Sequence, residues 1–252
     1  MNRKRVNPRG EKGGRPGFGG KEKTEEERNQ EKIVKALAEK ERILSNWTPK
    51  TVLGKKVKAG DINSLDEIFN KGQKILEPQI VDSLAKFEEV TIDVAKTTHV
   101  VRAGRKFSYR ATVLIGNRAG YIGIGTGKAV ERFPAIGKAV NDAKLNLKRI
   151  YLGAGSWEEQ PTTEKHSIPF KVKGKCGGVQ LVLWPAPKGT GLVVGKNVRV
   201  VLELAGVKDV WSKATGSSDT RLNFVRAGLD ALEQTGKMKA SKDIEEKMTK
   251  WI

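Results

Sequence analysis

The sequence predicts an α+β protein of two consecutive domains, and three observations carry that prediction. Apolar and polar residues alternate with period two in several short runs, the mark of half-buried strands. Apolar stripes at helical spacing stand before and after those runs. Glycine-rich turns punctuate both halves, at Gly116–Gly120 and around Gly177-Gly178. With 252 residues, the chain is long enough for two small cores.

Residues 1–23 place Arg3, Lys4, Arg5, Arg9, Lys12, Arg15, Lys21 and Lys23 among glycines, with Phe18 as the one aromatic ring. Such a segment cannot bury enough surface to offset its ordering entropy, which predicts a disordered basic arm. Residues 24–46 predict a helix. Thr24 and Glu27 have capping-box spacing, and Ile33, Val34, Leu37 and Leu44 form a narrow apolar stripe. Residues 47–78 predict an extended basic segment from Trp47 to Gly60, carrying Lys50, Lys55, Lys56 and Lys58, and then short helices. Leu65, Ile68 and Phe69 share one helical face; Ile80, Val81 and Leu84 share the next.

The first domain is expected over 79–149. Val90, Ile92 and Val94 alternate with polar residues as a first strand. A turn at Ala103-Gly104 leads to a second strand. Its core face is predicted to be Phe107, Tyr109, Ala111, Val113 and Ile115, with Ser108, Arg110 and Thr112 opposite. After the turn at Gly116–Gly120, Ile122 and Ile124 form the core face of a third strand. A helix then runs from near Pro134 to Lys148, burying Ile136, Ala139, Val140, Ala143 and Leu147. The order is helix, three antiparallel strands, helix.

The second domain is expected over 150–236. Strands at Ser167–Lys173 and Val179–Trp184 flank a turn with Gly174, Gly177 and Gly178. A loop with Pro185, Pro187, Gly189, Gly191 and Gly195 leads to a helix over Asn197–Leu204, ended by Gly206. Val207–Ala214 reads as a strand, and Ser218 or Asp219 as the cap of a helix reaching Thr235. Residues 237–252 read as a polar helical tail.

Charge narrows the function. The chain has 48 Lys+Arg against 29 Asp+Glu, a net +19 and a pI near 10.0. The excess is local, because residues 94–130 and 165–202 contain no carboxylate. The first stretch carries Lys96, Arg102, Arg105, Lys106, Arg110, Arg118 and Lys128. The second carries Lys165, Lys171, Lys173, Lys175, Lys188, Lys196 and Arg199. Folded surfaces of this kind attract a polyanion, RNA above all, and the charge far exceeds what solubility needs. No basic amphipathic helix with an aromatic face and no apolar run near the roughly 20 residues of a span is present, so no membrane partner is expected. The N-terminus lacks the apolar core of a secretory signal, and Cys176 alone cannot build a disulfide framework. A soluble, intracellular, nucleic-acid-binding protein accounts for all of this.

The motifs exclude most chemistry. Gly120-x-x-Gly123-x-Gly125-x-Gly127-Lys128 lacks the phosphate-binding spacing, with Ile122 where a glycine is needed and Ala129 where a hydroxyl is needed. Gly189-Thr190-Gly191 through Gly195-Lys196 fails likewise, at Thr190 and Asn197. Gly123 and Gly125 instead leave one strand face nearly flat, open to a helix or to an RNA backbone. Phe107 and Tyr109 could serve as base-stacking platforms, but their phase with Val113 and Ile115 predicts core positions. Aromatics are 6% of the chain, which favours recognition by charge and shape over stacking. His99, His166 and Cys176 have no zinc spacing. With no orienting acid or amide in view for a Cys176/His166 pair, His166 reads as a polar loop histidine and Cys176 as a small buried thiol. No catalytic constellation, metal or cofactor is expected. At the tip of the first hairpin, Arg102, Arg105 and Lys106 around the flexible Gly104 suit insertion between phosphates.

Several motifs resemble one known family in the right order. They are Gly104-Arg105-Lys106-Phe107-Ser108-Tyr109-Arg110-Ala111, then Leu114-Ile115-Gly116-Asn117 with Gly120-Tyr121-Ile122-Gly123 and Gly125 and Gly127. Pro185-Ala186-Pro187 with Gly189 and Gly191-Leu192-Val193-Val194 follows, then Val201–Val210 and Gly216-Ser217. Over about residues 47–235 the chain resembles the small-subunit ribosomal protein S-five family. Trp47-Thr48-Pro49-Lys50-Thr51 and His166-Ser167-Ile168-Pro169-Phe170 are similar to its archaeal-type branch. The resemblance implies a double-stranded-RNA-binding-like α-β-β-β-α domain followed by an α+β domain with a left-handed β-α-β unit. It implies a cytoplasmic, structural place in the small ribosomal subunit, contacting rRNA, neighbours of the S-four and S-eight families, and mRNA where it enters. It also implies that the hairpin tip, here Arg102, Gly104, Arg105 and Lys106, affects decoding accuracy. One departure stands out: duplex binders start the second helix with a basic cluster, whereas Lys128 is followed by Ala129, Val130 and Glu131. Tight binding to arbitrary duplex RNA is therefore not expected. The expected RNA contacts are Lys55, Lys56, Arg102, Gly104, Arg105, Lys106, Arg110, Arg118, Gly123, Gly125, Lys128, Lys171, Lys173, Lys175, Lys188, Lys196 and Arg199. The rival reading is a general RNA-binding or remodelling protein not confined to the ribosome.

Overall fold

The computed structural model describes residues 45, 47–154 and 165–237. The predicted arm at 1–23, the helix at 24–46 apart from Ser45, and the tail from 238 onward lie outside the described residues. Three short helices come first: α1 (Val52–Ala59), α2 (Leu65–Asn70) and α3 (Pro78–Leu84). Strands β1 (Glu88–Val101), β2 (Gly104–Gly116) and β3 (Tyr121–Ala129) follow, then helix α4 (Arg132–Leu145) and the short β4 (Leu147–Arg149). These four strands form one antiparallel sheet in chain order. Strands β5 (Val172–Cys176), β6 (Val179–Pro185) and β7 (Leu192–Val193), helix α5 (Lys196–Ala205), β8 (Val210–Thr215) and helix α6 (Arg221–Glu233) build the rest. The second sheet has the order β5-β6-β8-β7, and β7 and β8 run parallel across α5. The architecture is α+β with two sheets.

Several boundaries differ from the sequence expectation, each for a local reason. The stretch from Trp47 to Gly60 is not extended, because Val52–Ala59 is helical. The Thr51 hydroxyl accepts a hydrogen bond from the Gly54 amide at 3.0 Å, and Gly60 closes the helix at φ +87°. The lysines masked its apolar face, of which Val57 is the buried member. Strands β4 and β7, at three and two residues, are too short to show a period. Helix α4 ends at Leu145, so Leu147 is buried from a strand rather than a helix. Neither Ser218 nor Asp219 caps the last helix. Thr220 occupies the cap, and its hydroxyl donates to the Ser217 carbonyl instead.

Both faces of the first sheet are covered over most of its length. On one face Ala111, Val113 and Ile115 pack with α4 and with the N-terminal helices through Ile68, Ile80 and Val81. Glycine makes this approach possible. A Cβ at Gly125 would lie 2.1 Å from the Ala139 carbonyl oxygen and 2.2 Å from the Ala143 amide nitrogen. At Gly123 it would lie 2.4 Å from the Ala143 oxygen, and at Gly127 2.3 Å from the Ala135 oxygen. Ala135, Ala139 and Ala143 stand four apart on one helix stripe, so a row of alanines seats on a row of glycines. The C-terminal half repeats the device, with a Cβ at Gly174 falling 1.9 Å from the Ala227 oxygen of α6.

The opposite face does not end the domain. Leu114 and Ile122, with Val90, Ile92 and Ile124 beside them, join the core of Leu181, Leu183, Val201, Leu202 and Val225. Ile122 and Ile124 are thus core residues as expected, but of a core shared with the C-terminal half. The β2–β3 turn seals the junction. The Arg118 amide donates to the Leu204 carbonyl at 2.9 Å and the Gly120 amide to that of Ala205 at 3.1 Å, both at the end of α5. Lys148 binds Glu233 across the same junction, and this hydrogen bond holds the Glu233 carboxyl below its ordinary value.

Glu77 organises the N-terminal helices. It accepts the Trp47 indole N–H at 2.7 Å, the Lys50 amide at 2.9 Å and the Thr51 amide at 2.6 Å. Partial burial acts to raise its pKa, but these hydrogen bonds outweigh it and lower the value below the ordinary 4.5.

Gly125→Val should destabilise the protein by about 3 kcal/mol or more by overpacking. Gly137→Ala, on the same helix with nothing within 4 Å of the added methyl, should gain about 0.5–1 kcal/mol. Urea unfolding measures both, and equal midpoints for the two variants would contradict the flush contact. For Glu77, the folded state binds its proton less readily than the unfolded chain. Its contribution is therefore complete above the ordinary carboxyl pKa and drains away as pH falls through the lowered one. Glu77→Gln should melt below the wild type at about pH 6, and the gap should close towards about pH 3.

Candidate nucleic-acid interface

Strands β1 and β2 outrun the rest of their sheet. The β2–β3 register begins at Tyr109 opposite Ala129, so residues 97–108 pair only with each other, from Thr97 opposite Ser108 to Val101 opposite Gly104. The result is a two-stranded ribbon ending in the turn Arg102-Ala103. Gly104 leaves that turn at φ +132°, which a side chain would oppose.

Register distributes the cations. His99 faces Lys106 and Arg110 faces Lys128, so Lys106, Arg110 and Lys128 lie on one face. Arg105 lies on the other with Phe107, over whose ring the Lys96 ammonium stands at 4.0 Å. Phe107 is therefore not a core residue. It is 48% exposed, because the apolar alternation of β2 continues past the point where α4 and β3 can cover it. Tyr109, two residues nearer the sheet, is half-buried against the core as predicted. Among the described residues, Arg102, Arg105, Lys106, Arg110 and Lys128 form no ion pair. Cations presented without local acids are what a phosphate backbone requires.

Four expected contacts meet other partners within the chain. Arg118 sits at φ +55° in the sealed turn, and its guanidinium donates to Glu88 at 2.8 and 3.0 Å. Gly123 and Gly125 present no open face, because the helix and not an RNA backbone occupies it. Arg199 is bound to Glu203 at 3.0 Å, but this pair is exposed and exchangeable. Lys55 and Lys56 are exposed on α1, and Lys196 opens α5.

On the second sheet Val172 and Gly174 point inward, so Lys173 and Lys175 point out, and Lys171 lies over the Trp184 ring at 5.1 Å. Lys213 on β8 joins this outward face through the register Lys173–Val182–Lys213. The sequence reading missed it for want of the strand pairing.

The loop bearing Lys188 is held by a buried hub. Asp209 accepts the Gly189 and Gly191 amides at 3.1 and 2.7 Å on one oxygen, and its other oxygen lies 2.8 Å from His166 Nδ1. The amides that could cradle a phosphate are consumed by a carboxylate of the chain itself. His166 is thus a buried side chain hydrogen-bonded to Asp209 rather than a polar loop histidine, and Asp209 is the orienter that spacing did not reveal. Cys176 is half-buried with Sγ 4.0 Å from Asn223 Oδ1. Among the described residues no group of three His, Cys, Asp or Glu could hold a metal ion, and no helix is long and apolar enough to cross a membrane.

Comparison with known proteins agrees with this layout. The family model described as ribosomal protein S5, N-terminal domain, matches residues 87–151, and that described as ribosomal protein S5, C-terminal domain, matches 174–247. The chain is 46% identical over 199 residues to the small ribosomal subunit protein uS5 of Methanothermobacter thermautotrophicus, covering 79% of this chain and 92% of the relative. It is 48% identical over 193 residues to that of Hyperthermus butylicus, covering 76% and 90%. With that of Methanocaldococcus jannaschii it shares 47% over 191 residues, covering 75% and 88%. Two family models in order, and relatives matched over most of their length, mean that the chain belongs to the ribosomal protein S5 family.

Proposed function

We propose that the protein is a structural, rRNA-binding constituent of the small ribosomal subunit in the cytoplasm. The observation that carries this reading is the acid-free ribbon, whose cations have no partner among the described residues, in a chain whose relatives are small ribosomal subunit proteins. The mechanism is electrostatic and positional rather than catalytic. Arg102, Arg105 and Lys106 contact phosphates at the tip, and Arg110 and Lys128 continue the track onto the sheet. Lys171, Lys173, Lys175 and Lys213 form a second track on the C-terminal half. Lys55, Lys56, Lys188, Lys196 and Arg199 add further contacts around it.

A two-stranded ribbon anchored in a covered sheet suits reach into a crowded particle, because its base is fixed while its tip is narrow. This supports contact with rRNA near the path by which mRNA enters, an influence on decoding accuracy, and neighbours of the S-four and S-eight families. The domains at 79–149 and 150–236 act together through their shared core.

The test uses full-length protein and small-subunit rRNA across a salt series. Arg105→Glu with Lys106→Glu should lower the slope of log affinity against log salt by about 1.4–1.8, two phosphates' worth, with an unchanged melting temperature. It should also raise misreading in cells. An unchanged slope would remove the ribbon from the RNA interface.

A further inference from the structure

Among the described residues, helices cover the C-terminal sheet on its inner face only. Its outward face carries a row set by strand register: Val193 on β7, Trp211 on β8 and Trp184 on β6 stand opposite one another on adjacent strands. Val193 is 53% and Trp211 44% exposed. Neighbouring strands lie about 4.8 Å apart, so the two indoles are side by side. The next row along the same face is Lys173, Val182 and Lys213. Lys171 stands over the Trp184 ring at 5.1 Å and completes a cationic margin. No strand residue of this face is acidic.

Trp184 is half-buried, whereas Trp211 is an exposed aromatic, costly to leave in water and suited to either a protein or a nucleobase. The lysine margin decides between them. An anionic partner with flat apolar faces is a single-stranded nucleic acid, whose bases stack on indoles while its phosphates meet ammonium groups. We infer that the outward face of the C-terminal sheet is a platform for an unpaired stretch of rRNA, with bases stacked on Trp211 and Trp184 and phosphates on Lys173 and Lys213. The inference rests on the RNA-binding reading above and deepens its second track, adding base stacking to phosphate contact on a surface apart from the ribbon. Low aromatic content favoured recognition without stacking, yet two of the five tryptophans are gathered here by register.

The experiment titrates full-length protein with small-subunit rRNA over a salt series, beside the Arg105→Glu, Lys106→Glu variant. Trp211→Ala should weaken binding about 5- to 150-fold at every salt concentration without changing the slope, and Trp211→Phe should restore most of it. Lys173→Glu with Lys213→Glu should lower the slope by about 1.4. Both lysines are exposed, so this variant remains informative should the tryptophan variant fold poorly. Wild-type binding by the tryptophan and lysine variants, with the ribbon variant still impaired, overturns the platform and leaves the RNA reading intact. Normal rRNA affinity with failed incorporation into subunits also overturns it, because the face then meets a protein. Binding with no salt dependence in any variant defeats the RNA reading itself.

Discussion

The flush seating of β3 on α4 is the constraint on which the rest of the structure depends. Gly123, Gly125 and Gly127 have no side chains, and Ala135, Ala139 and Ala143 have almost none, so backbone meets backbone across the layer. A single methyl at Gly125 would overlap the helix main chain, which cannot move as a side-chain end can. This contact fixes α4 and therefore fixes which face of the sheet it covers. The buried Lys144 binds Asp82 at 2.7 Å and ties the same helix to α3.

With one face closed so tightly, the other is free to become part of a second core. Leu114 and Ile122 reach the apolar residues of α5 and α6, and the turn at Asn117–Gly120 bonds to the end of α5. Close backbone approach recurs there, since a Cβ at Gly206 would fall 2.2 Å from the Arg118 oxygen. Arg221 on α6 binds Asp93 on β1 at 3.0 Å, again across the junction. The ribbon of residues 97–108 consequently projects from a base held on both faces. Pre-organisation of this kind reduces the ordering cost of binding.

Much of this was legible in the sequence, because period-two and helical patterns record burial directly. The order of helix, three strands and helix came from Val113, Ile115, Ala139 and Val140. The failures share a cause, which is that sequence records local pattern but not where a layer ends. Phe107 continues the alternation of β2 into a region with no helix above it. The α1 helix was hidden by Lys55 and Lys56, which belong to its solvent face. At Gly123 and Gly125 the sequence indicated a flat surface without saying whether helix or RNA would fill it. Arg118 looked like any other cation until Glu88, thirty residues away, was placed beside it. His166, Asp209 and the loop amides meet only after folding, and Lys213 joins Lys173 only through β6.

Function follows from what the fold leaves unpaired. Carboxylates of the described residues are largely engaged in joining elements, as at Glu77, Asp82, Asp209 and Glu233, whereas the cations of the ribbon and of the outward second sheet face solvent. That division of labour leaves the cationic surfaces open to a polyanion. The most direct measurement is sedimentation of the tagged full-length protein from gently lysed cells, at low and then high salt, with sequencing of the RNA that travels with it. The protein is expected to stay with the small ribosomal subunit and its rRNA through the salt wash. Free sedimentation, or a mixed population of bound RNAs, would contradict it.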